Sequence, residues 1–473
     1  MNRDEFEHAF KALWARYQHS KMLFPSLDQI KEWALEKRLR VTNIQRRNVG
    51  PFHPVDCIVI ETPEGKGCFP ADPYAAHQQW ERCTIEANRV AAIWEKLEWF
   101  SPLWISGGNV RKILKDAELL EPEAAIKSFN YHTSTIYTVH FEAVCIEQLM
   151  GAAKCVEDVR PLAREAFLAF YAGYKAASIA ALIPAIEGAI SKILPEQTHE
   201  LPTMERVNRV IQGAIEYAAQ IHYEGMWAPP IYKTADYLFS LDERVFCFET
   251  FRRWLQQSFY RNTKEYAGAT SLNRHLFAHG ISDEWQKASL SRLIVALATI
   301  GTIESWFKND SSSTLFFPEP NEDSRLLHQQ AILHGSVQMI VKDIEEATYH
   351  RSGKLTPELA TDDGTLLRRA NLMRDCIDDL VRPMREAGWN VEVQDDESDL
   401  YLIVIGKCRG EELRVALLYS CATDNDLYQS FAKECHAILY RGGPYKQDQF
   451  ARGVKVHVGP VAGWRPPSPT DQA

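Results

Sequence analysis

The sequence lacks the short motifs by which many cofactor and metal enzymes are identified. No two of its ten cysteines form a Cys-x-x-Cys pair, which zinc ribbons and thioredoxin-like redox sites require. No Walker-type or Gly-x-Gly-x-x-Gly loop is present to cradle a nucleotide phosphate, and no His-Glu-x-x-His pattern is present to bind zinc. We therefore expect neither a cofactor nor a resident metal ion.

Positive charge is also scarce. The chain has 53 lysines and arginines against 63 aspartates and glutamates, a formal net charge of −10. This balance argues against a protein coated in positive charge for non-specific nucleic-acid binding, but it leaves room for a local basic patch.

Neither an export signal nor a membrane span is indicated. The N-terminus, MNRDEFEHAFKALW, carries charges throughout and has no apolar signal core. The most apolar stretch, residues 167–190, includes Lys175, Pro184 and Glu187, and hiding two charges in a bilayer would cost several kcal/mol. We expect a cytoplasmic protein without a membrane contact.

A chain of 473 residues is too long for one hydrophobic core, so we expect several domains in a mainly α-helical, multidomain protein. Residues 1–135 form a mixed α/β region of unknown role, and residues 136–308 form a central helical bundle. Residues 309–324, NDSSSTLFFPEPNEDS, are polar and proline-rich and form a linker. Residues 325–473 form an α+β domain, which we interpret as a sensor or interaction module.

Apolar periodicity and helix breakers predict the individual elements. The predicted helices of the first two regions are Asp4–Tyr17, Ala75–Phe100, Val159–Ala172, Tyr174–Leu194, Met204–Tyr223, Arg244–Tyr260 and Ser271–His279. A last helix follows, with Ser282 or Asp283 as its cap and an apolar stripe from Leu290 to Ile303. A strand is expected over Asp56–Glu61. The C-terminal predictions are helices near 325–350, 363–387 and Leu427–Cys435, and strands at Trp389–Val393, Leu400–Gly406, Arg414–Tyr419, Ile438–Tyr440 and Val454–Val458.

Arg274 and His279 are the residues whose chemistry points to a reaction. Cleaving RNA without a metal needs a group that moves protons near neutral pH and a cation that stabilises the phosphorane. Histidine suits the first task, and the guanidinium fork of arginine suits the second. Five helical residues turn through about 500°, so the two side chains diverge by roughly 140°. Two copies of the helix facing each other across a dimer would bring them into one cleft.

An arginine followed by a histidine is by itself a weak pattern. Similar pairs occur at Arg3 and His8, at Arg46 or Arg47 and His53, and at Arg452 and His457, but these pairs are not surrounded by long amphipathic helices. Other interpretations stay open. His275 and His279 are spaced as metal ligands but need a third, and Glu187 either pairs with Arg274 or is a solvated surface residue. Asp395, Asp396, Glu397 and Asp399 are best explained as a turn between two strands.

The segment Ser271-Leu-Asn-Arg-His-Leu-Phe-Ala-His-Gly280 resembles the signature of HEPN proteins. That signature consists of an arginine, a polar residue, three variable residues and a histidine. The segments Arg164–Tyr174 and Ile179–Gly188 resemble the paired upstream helices of one bacterial branch of that superfamily. The resemblance covers about 170 of the 473 residues and does not extend to either flank.

The resemblance implies roles for the motif residues. Arg274 would contact the scissile phosphate, His279 would act as general acid or base, and His275 would orient the pair. It implies a HEPN-like bundle, a homodimer formed through that bundle, and a metal-independent endoribonuclease that leaves a cyclic phosphate. It also implies a toxin or anti-phage defence effector with an antitoxin or defence-system partner. Further candidate substrate contacts are Asn273, Glu187, Arg261 and Lys264, and Tyr260, just before the motif, is a candidate for lining the approach of the substrate. The alternative is an inactive HEPN bundle that binds RNA, a nucleotide or a protein.

Overall fold

The computed structural model describes residues 3–20, 25–105, 107–133, 136–194, 200–266, 272–281, 289–309, 317–351, 372–394, 400–444 and 446–469, and the single residues 268, 369 and 398. Over these residues the protein is mainly α-helical and has two small β-sheets. The predicted mainly α-helical class is therefore confirmed, whereas the central bundle as a HEPN bundle and the domain boundaries stay predictions.

The N-terminal region combines helices with a three-stranded antiparallel sheet of strand order β1-β2-β3. Its elements are α1 (Arg3–Gln18), α2 (Leu27–Glu36), β1 (Asn43–Val49), β2 (Val55–Thr62), β3 (Gly65–Pro70), α3 (Pro73–Lys96), α4 (Gly107–Leu119) and α5 (Pro122–Thr133). Helices α1 and α3 and strand β2 were predicted, and the others were not.

Helix α1 packs on this sheet through the apolar face that its periodicity predicts. Phe6, Phe10 and Trp14 are buried there. Gly67 in β3 permits the close approach, because a Cβ atom at this position would lie 2.2 Å from a ring carbon of Phe10. Any larger residue would force the helix and the sheet apart.

The second region is a succession of helices. They are α6 (Val139–Val144), α7 (Lys154–Glu157), α8 (Arg160–Tyr171), α9 (Lys175–Ile193), α10 (Thr203–His222), α11 (Ala235–Leu238), α12 (Glu243–Trp254), α13 (Arg274–Ala278) and α14 (Leu290–Phe307). Turns of π-helix extend α6 over Cys145–Leu149 and α12 over Leu255–Phe259. Short 3-10 turns lie at Met150–Ala152 and Pro230–Tyr232. The predicted ends of α8, α9 and α10 are each correct to within one residue.

Helix α14 lies at the centre of this region. It packs against α9 and α10, and its side chains are buried around nearly its whole circumference. Helices α9 and α14 are long and apolar enough to cross a membrane, but 89% of α14 and 50% of the apolar window of α9 are buried inside the protein. A helix that is apolar on all sides is expected at such a central position.

One connected hydrophobic core runs from Phe6 to Ala331, so the first two regions share it. Helix α15 (Glu322–Arg351) reaches this core through Leu327 and Ala331 and packs on α6 and α8. The sequence analysis places α15 in the third region. Of the predicted linker, residues 310–316 lie outside the described residues.

The outer side of α15 carries large apolar side chains that are exposed. Leu326, Leu333, Val337 and Ile340 are 49%, 64%, 54% and 60% exposed. We call these four residues the apolar face of α15. Their spacing of seven, four and three residues is typical of a helix that pairs with another helix.

The C-terminal sheet has the strand order β4-β5-β6-β7-β8, antiparallel from β4 to β6 and parallel from β6 to β8. Its elements are a π-helical turn (Cys376–Val381), α16 (Arg382–Glu386), β4 (Asn390–Gln394), β5 (Tyr401–Cys408), β6 (Glu411–Leu418), α17 (Asn425–Glu434), β7 (Ala437–Tyr440), α18 (Gln447–Phe450) and β8 (His457–Pro460). The strand predicted at Val454–Val458 begins three residues later. Of the helix predicted near 363–387, most of the part before residue 372 lies outside the described residues.

Both faces of this sheet are covered, because neighbouring side chains of a strand point to opposite faces. Leu402 and Val404 belong to the core that includes the π-helical turn and α16, whereas Ile403 belongs to the core that includes α17. The carboxylate-rich segment 395–399 joins two antiparallel strands, but its four acidic residues lie outside the described residues.

Candidate active site

The motif lies on helix α13, a single turn with a clear start and stop. Asn273 is the N-cap, and its side-chain oxygen accepts hydrogen bonds from the backbone N–H groups of His275 and Leu276 at 3.0 and 3.2 Å. Gly280 follows the helix with a left-handed φ of +60°, as expected for a helix terminator. The helix thus begins at Arg274 and is shorter than predicted, because the asparagine caps it there. Ser271 lies outside the described residues.

Asn273 has a structural role rather than a place on a substrate-binding surface. The residue is fully buried, and its amide nitrogen donates to the backbone oxygens of Ser258 and Arg261 at 2.9 and 2.8 Å. With two bonds accepted and two donated, the side chain has used its hydrogen-bonding capacity. It anchors α13 to the end of the preceding π-helical turn.

Arg274 forms an ion pair with Glu187 of α9. Its Nε lies 2.5 Å from the Oε1 of Glu187, and the two side chains are 35% and 27% exposed. The pairing that the sequence analysis left open is therefore present. The carboxylate holds the guanidinium against the helical region, at a place that still opens to solvent.

His275 of α13 and His279, the C-cap of that helix, lie on the same side, one turn apart. Their rings are parallel within 1°, and the ring centroids are 6.3 Å apart. His279 is exposed and His275 is half-buried. Arg274 thus contacts α9, whereas His279 is exposed to solvent one turn beyond His275.

Arg206 and Tyr260 also belong to the surroundings of Glu187. Arg206 of α10 donates from Nη1 to the hydroxyl of Ser191, which lies one turn after Glu187 on α9, at 2.8 Å. Burial raises the pKa of the Glu187 carboxyl, while the positive charges of Arg274, His275 and Arg206 act to lower it. Burial also raises the pKa of the Tyr260 phenol, and the charge of Glu187 raises it further. We call Glu187, Arg206, Tyr260 and Arg274 the Glu187 cluster.

Sequence reasoning found three members of this cluster and missed one. Tyr260 was noted because it precedes the motif, as were Arg261 and Lys264. Arg261 and Lys264 are exposed in the segment between α12 and α13. Arg206 lies near the start of an ordinary amphipathic helix, and no local pattern distinguishes it. Only the packing of α9 against α10 reveals its position.

A second polar cluster is buried and also escaped prediction. Asp242 accepts hydrogen bonds from Arg244 through both carboxylate oxygens, at 2.8 and 2.5 Å, and its Oδ2 lies 2.9 Å from Nδ1 of His222. Asp242 is 0% exposed, Arg244 is 8% exposed and His222 is 1% exposed. Because a substrate has no access to them, we assign them a structural role.

Among the described residues, no group of three or more His, Cys, Asp and Glu side chains is arranged to hold a metal ion. Within that part of the chain His275 and His279 have no third ligand.

Comparison of the chain with protein-family models, with curated proteins and with solved structures finds no match. The HEPN interpretation therefore rests on the motif residues and on the site they form.

Proposed function

We propose that the protein is a metal-independent endoribonuclease of the HEPN type that cleaves RNA by attack of a ribose 2′-hydroxyl. The observation that carries the proposal is the arrangement on α13. A guanidinium held by a carboxylate at 2.5 Å and an exposed histidine lie on one short helix at the protein surface. These are the two functional groups that metal-free RNA cleavage requires.

The reaction assigns each group one task. The 2′-oxygen attacks the phosphorus and loses its proton to an imidazole acting as base, and the 5′-oxygen leaves with a proton from an imidazole acting as acid. Arg274 stabilises the negative charge that develops on the phosphorane. The products are a 2′,3′-cyclic phosphate and a free 5′-hydroxyl. His275, whose ring is parallel to that of His279, orients the His279 imidazole.

The proposal includes a homodimer, because one copy of α13 points its arginine and its exposed histidine in different directions. Two copies supply two His279 imidazoles, one as base and one as acid. We take the apolar face of α15 as the contact, since its exposed side chains have the spacing of a self-pairing helix and α15 packs on the helical region.

The test is cleavage of RNA by the purified protein in EDTA, with Arg274→Ala and His279→Ala beside it. Each variant should lose about 100-fold or more in rate. Arg209→Ala and His77→Ala are matched controls, because both residues are exposed and form ion pairs one helical turn away with Glu205 and Glu81. The controls should cleave at the wild-type rate, and the products should end in a cyclic phosphate.

Three results would contradict the proposal. Cleavage that disappears with EDTA points to metal chemistry, and cleavage that survives in both motif variants places the reaction elsewhere. No cleavage of any RNA favours the alternative, a binding module, in which Glu187 permanently neutralises Arg274.

We further propose a role as a toxin or anti-phage effector that a partner protein restrains. If so, expression of the wild-type protein without that partner should arrest bacterial growth, and expression of the His279→Ala variant should not. Equal growth of the two strains argues against an unrestrained toxin.

A further inference from the structure

Two buried polar groups at the candidate site have no hydrogen-bond partner in the described structure. They are the phenol oxygen of Tyr260 and the Nε of Arg206. A buried donor without an acceptor is costly and rare in folded proteins, so each such group calls for an explanation. A ligand that offers oxygen acceptors would provide one.

Both groups are close to the same carboxylate. The charges of Arg206 and Arg274 act on Glu187, and the charges of Glu187, Arg274 and Arg206 all act on Tyr260. Arg206 is also fixed in place, because its Nη1 and Nη2 donate to the hydroxyls of Ser191 and Thr203 at 2.8 and 3.4 Å. Arg206 therefore lies beside the turn of α9 that follows Glu187. Tyr260 lies near Arg274, because the side chain of Asn273 donates to the backbone oxygens of Ser258 and Arg261, on either side of Tyr260.

We propose that Arg206, Arg274 and Tyr260 form a pocket for one phosphate group of the RNA, and that Glu187 competes with the phosphate for Arg274 in the free protein. The proposal deepens the function proposed above and rests on it for the identity of the ligand. Arg206 and Tyr260 are thereby phosphate-binding residues in addition to the motif.

The charges and the chemistry fit a phosphate. The cluster contains two guanidinium groups and one carboxylate, so it keeps an excess of one positive charge. A phosphodiester offers the same kind of anionic oxygen acceptors as a carboxylate, and a guanidinium fork with a phenol O–H binds them well. Glu187 and Arg274 are 27% and 35% exposed, so a phosphate can approach Arg274 from solvent and exchange with the carboxylate.

The pocket can be tested by binding, separately from catalysis. The probe is a single-stranded 2′-O-methyl RNA, which carries phosphates but has no 2′-hydroxyl able to attack. Its dissociation constant is measured by fluorescence anisotropy at one fixed salt concentration, and inorganic phosphate is added as a competitor. Circular dichroism and urea unfolding confirm that each variant is folded.

The variants should shift the affinity in opposite directions. Arg206→Gln should weaken binding about tenfold or more, and Tyr260→Phe about threefold, because a charged and a neutral hydrogen bond are lost. Glu187→Gln should tighten binding about threefold, because glutamine still accepts a hydrogen bond from Arg274 but no longer competes as an anion. A residue that only supports the fold would not produce this gain.

Matched controls exist on the same helix. Arg209→Gln removes an exposed guanidinium from α10, and Tyr217→Phe removes a phenol whose ring packs on Trp306. Both should leave the affinity unchanged.

The outcomes separate the two proposals. If Arg206→Gln weakens and Glu187→Gln tightens binding while the wild-type protein cleaves no RNA, the pocket stands and the ribonuclease proposal fails. If the wild-type protein cleaves RNA but Arg206→Gln binds like Arg209→Gln, the pocket is overturned and the ribonuclease stands. Weaker binding by Glu187→Gln also overturns the pocket, because the carboxylate would then support the ligand.

Discussion

Replacing Asp242 with asparagine should destabilise the protein by about 3–5 kcal/mol, because it leaves a buried guanidinium without its counter-ion. Asp242 is fully buried, and Arg244 and His222 beside it are 8% and 1% exposed. Asparagine keeps one oxygen but replaces the other with an NH2 group, which faces donors. The guanidinium cannot lose its charge to relieve the mismatch.

The substitution isolates the charge from the helix cap. Asp242 is also the N-cap of α12, where its Oδ1 accepts from the backbone N–H of Arg244 at 3.0 Å. Asparagine caps helices as well as aspartate does, so this contribution is retained. Asp242→Ala should therefore cost about 1 kcal/mol more than Asp242→Asn.

Urea unfolding followed by tryptophan fluorescence measures the effect. The matched control is Asp72→Asn, because Asp72 caps α3 by accepting from Tyr74 and Ala75. This control should change the free energy of unfolding by less than about 0.5 kcal/mol. If Asp242→Asn is no more destabilising than Asp72→Asn, the buried cluster makes no net contribution and the reasoning is refuted.

The same cluster predicts a pH dependence. Burial acts to raise the pKa of Asp242, but hydrogen bonds from Arg244 and His222 outweigh it, and the net pKa is lowered. The ionised carboxylate therefore adds stability above the unfolded pKa, about 3.9, and this stability is lost as the pH falls through the lower folded pKa. The stability difference between wild type and Asp242→Asn should shrink accordingly in acid.

Two further predictions concern a glycine and the proposed dimer. Gly50→Ala should lower the free energy of unfolding in urea clearly more than Gly225→Ala. Both glycines have a positive φ, +106° and +73°, but only at position 50 would a Cβ atom meet a neighbour, Nε2 of His222 at 2.8 Å. Equal losses of stability in the two variants would mean that the His222 ring moves aside without cost. Leu333→Asp combined with Ile340→Asp should convert a dimer into a monomer in sedimentation and abolish RNA cleavage. Arg325→Asp should do neither, because this exposed residue of α15 lies off the apolar face. A wild-type monomer that cleaves RNA would refute the composite site.

Helix periodicity explains why much of the fold was predictable. The ends of α8, α9 and α10 follow from apolar stripes bounded by residues such as Gly173, whose φ of +95° ends α8 as expected. Strand β1 was missed because its sequence, NIQRRNV, has no apolar alternation. It forms because β2 offers it an antiparallel partner from Asn43↔Glu61 to Val49↔Val55, which is a tertiary cause.

The candidate site, like the fold, was predictable only in part. Arg274 and His279 were singled out because, of the Arg–His pairs in the chain, only theirs lies between long amphipathic helices. The Glu187 pairing was one of two interpretations that the sequence left open. Arg206 could not be found, since its relation to Glu187 depends on the packing of α10 beside α9. Asn273 was taken for a substrate contact, because its burial and four hydrogen bonds cannot be seen in the sequence.

The sequence by itself determined the mainly helical class, the ends of α8, α9 and α10 and the position of the Arg–His motif. Each of these depends on residues a few positions apart, whose spacing along a helix is set by backbone geometry. Only the tertiary structure decided that α15 packs on the helical region, that Asp242 forms hydrogen bonds with His222 and Arg244, and that Arg206 lies near Glu187. Those contacts join residues far apart in the chain, and they form because burying apolar helix faces brings particular polar groups together.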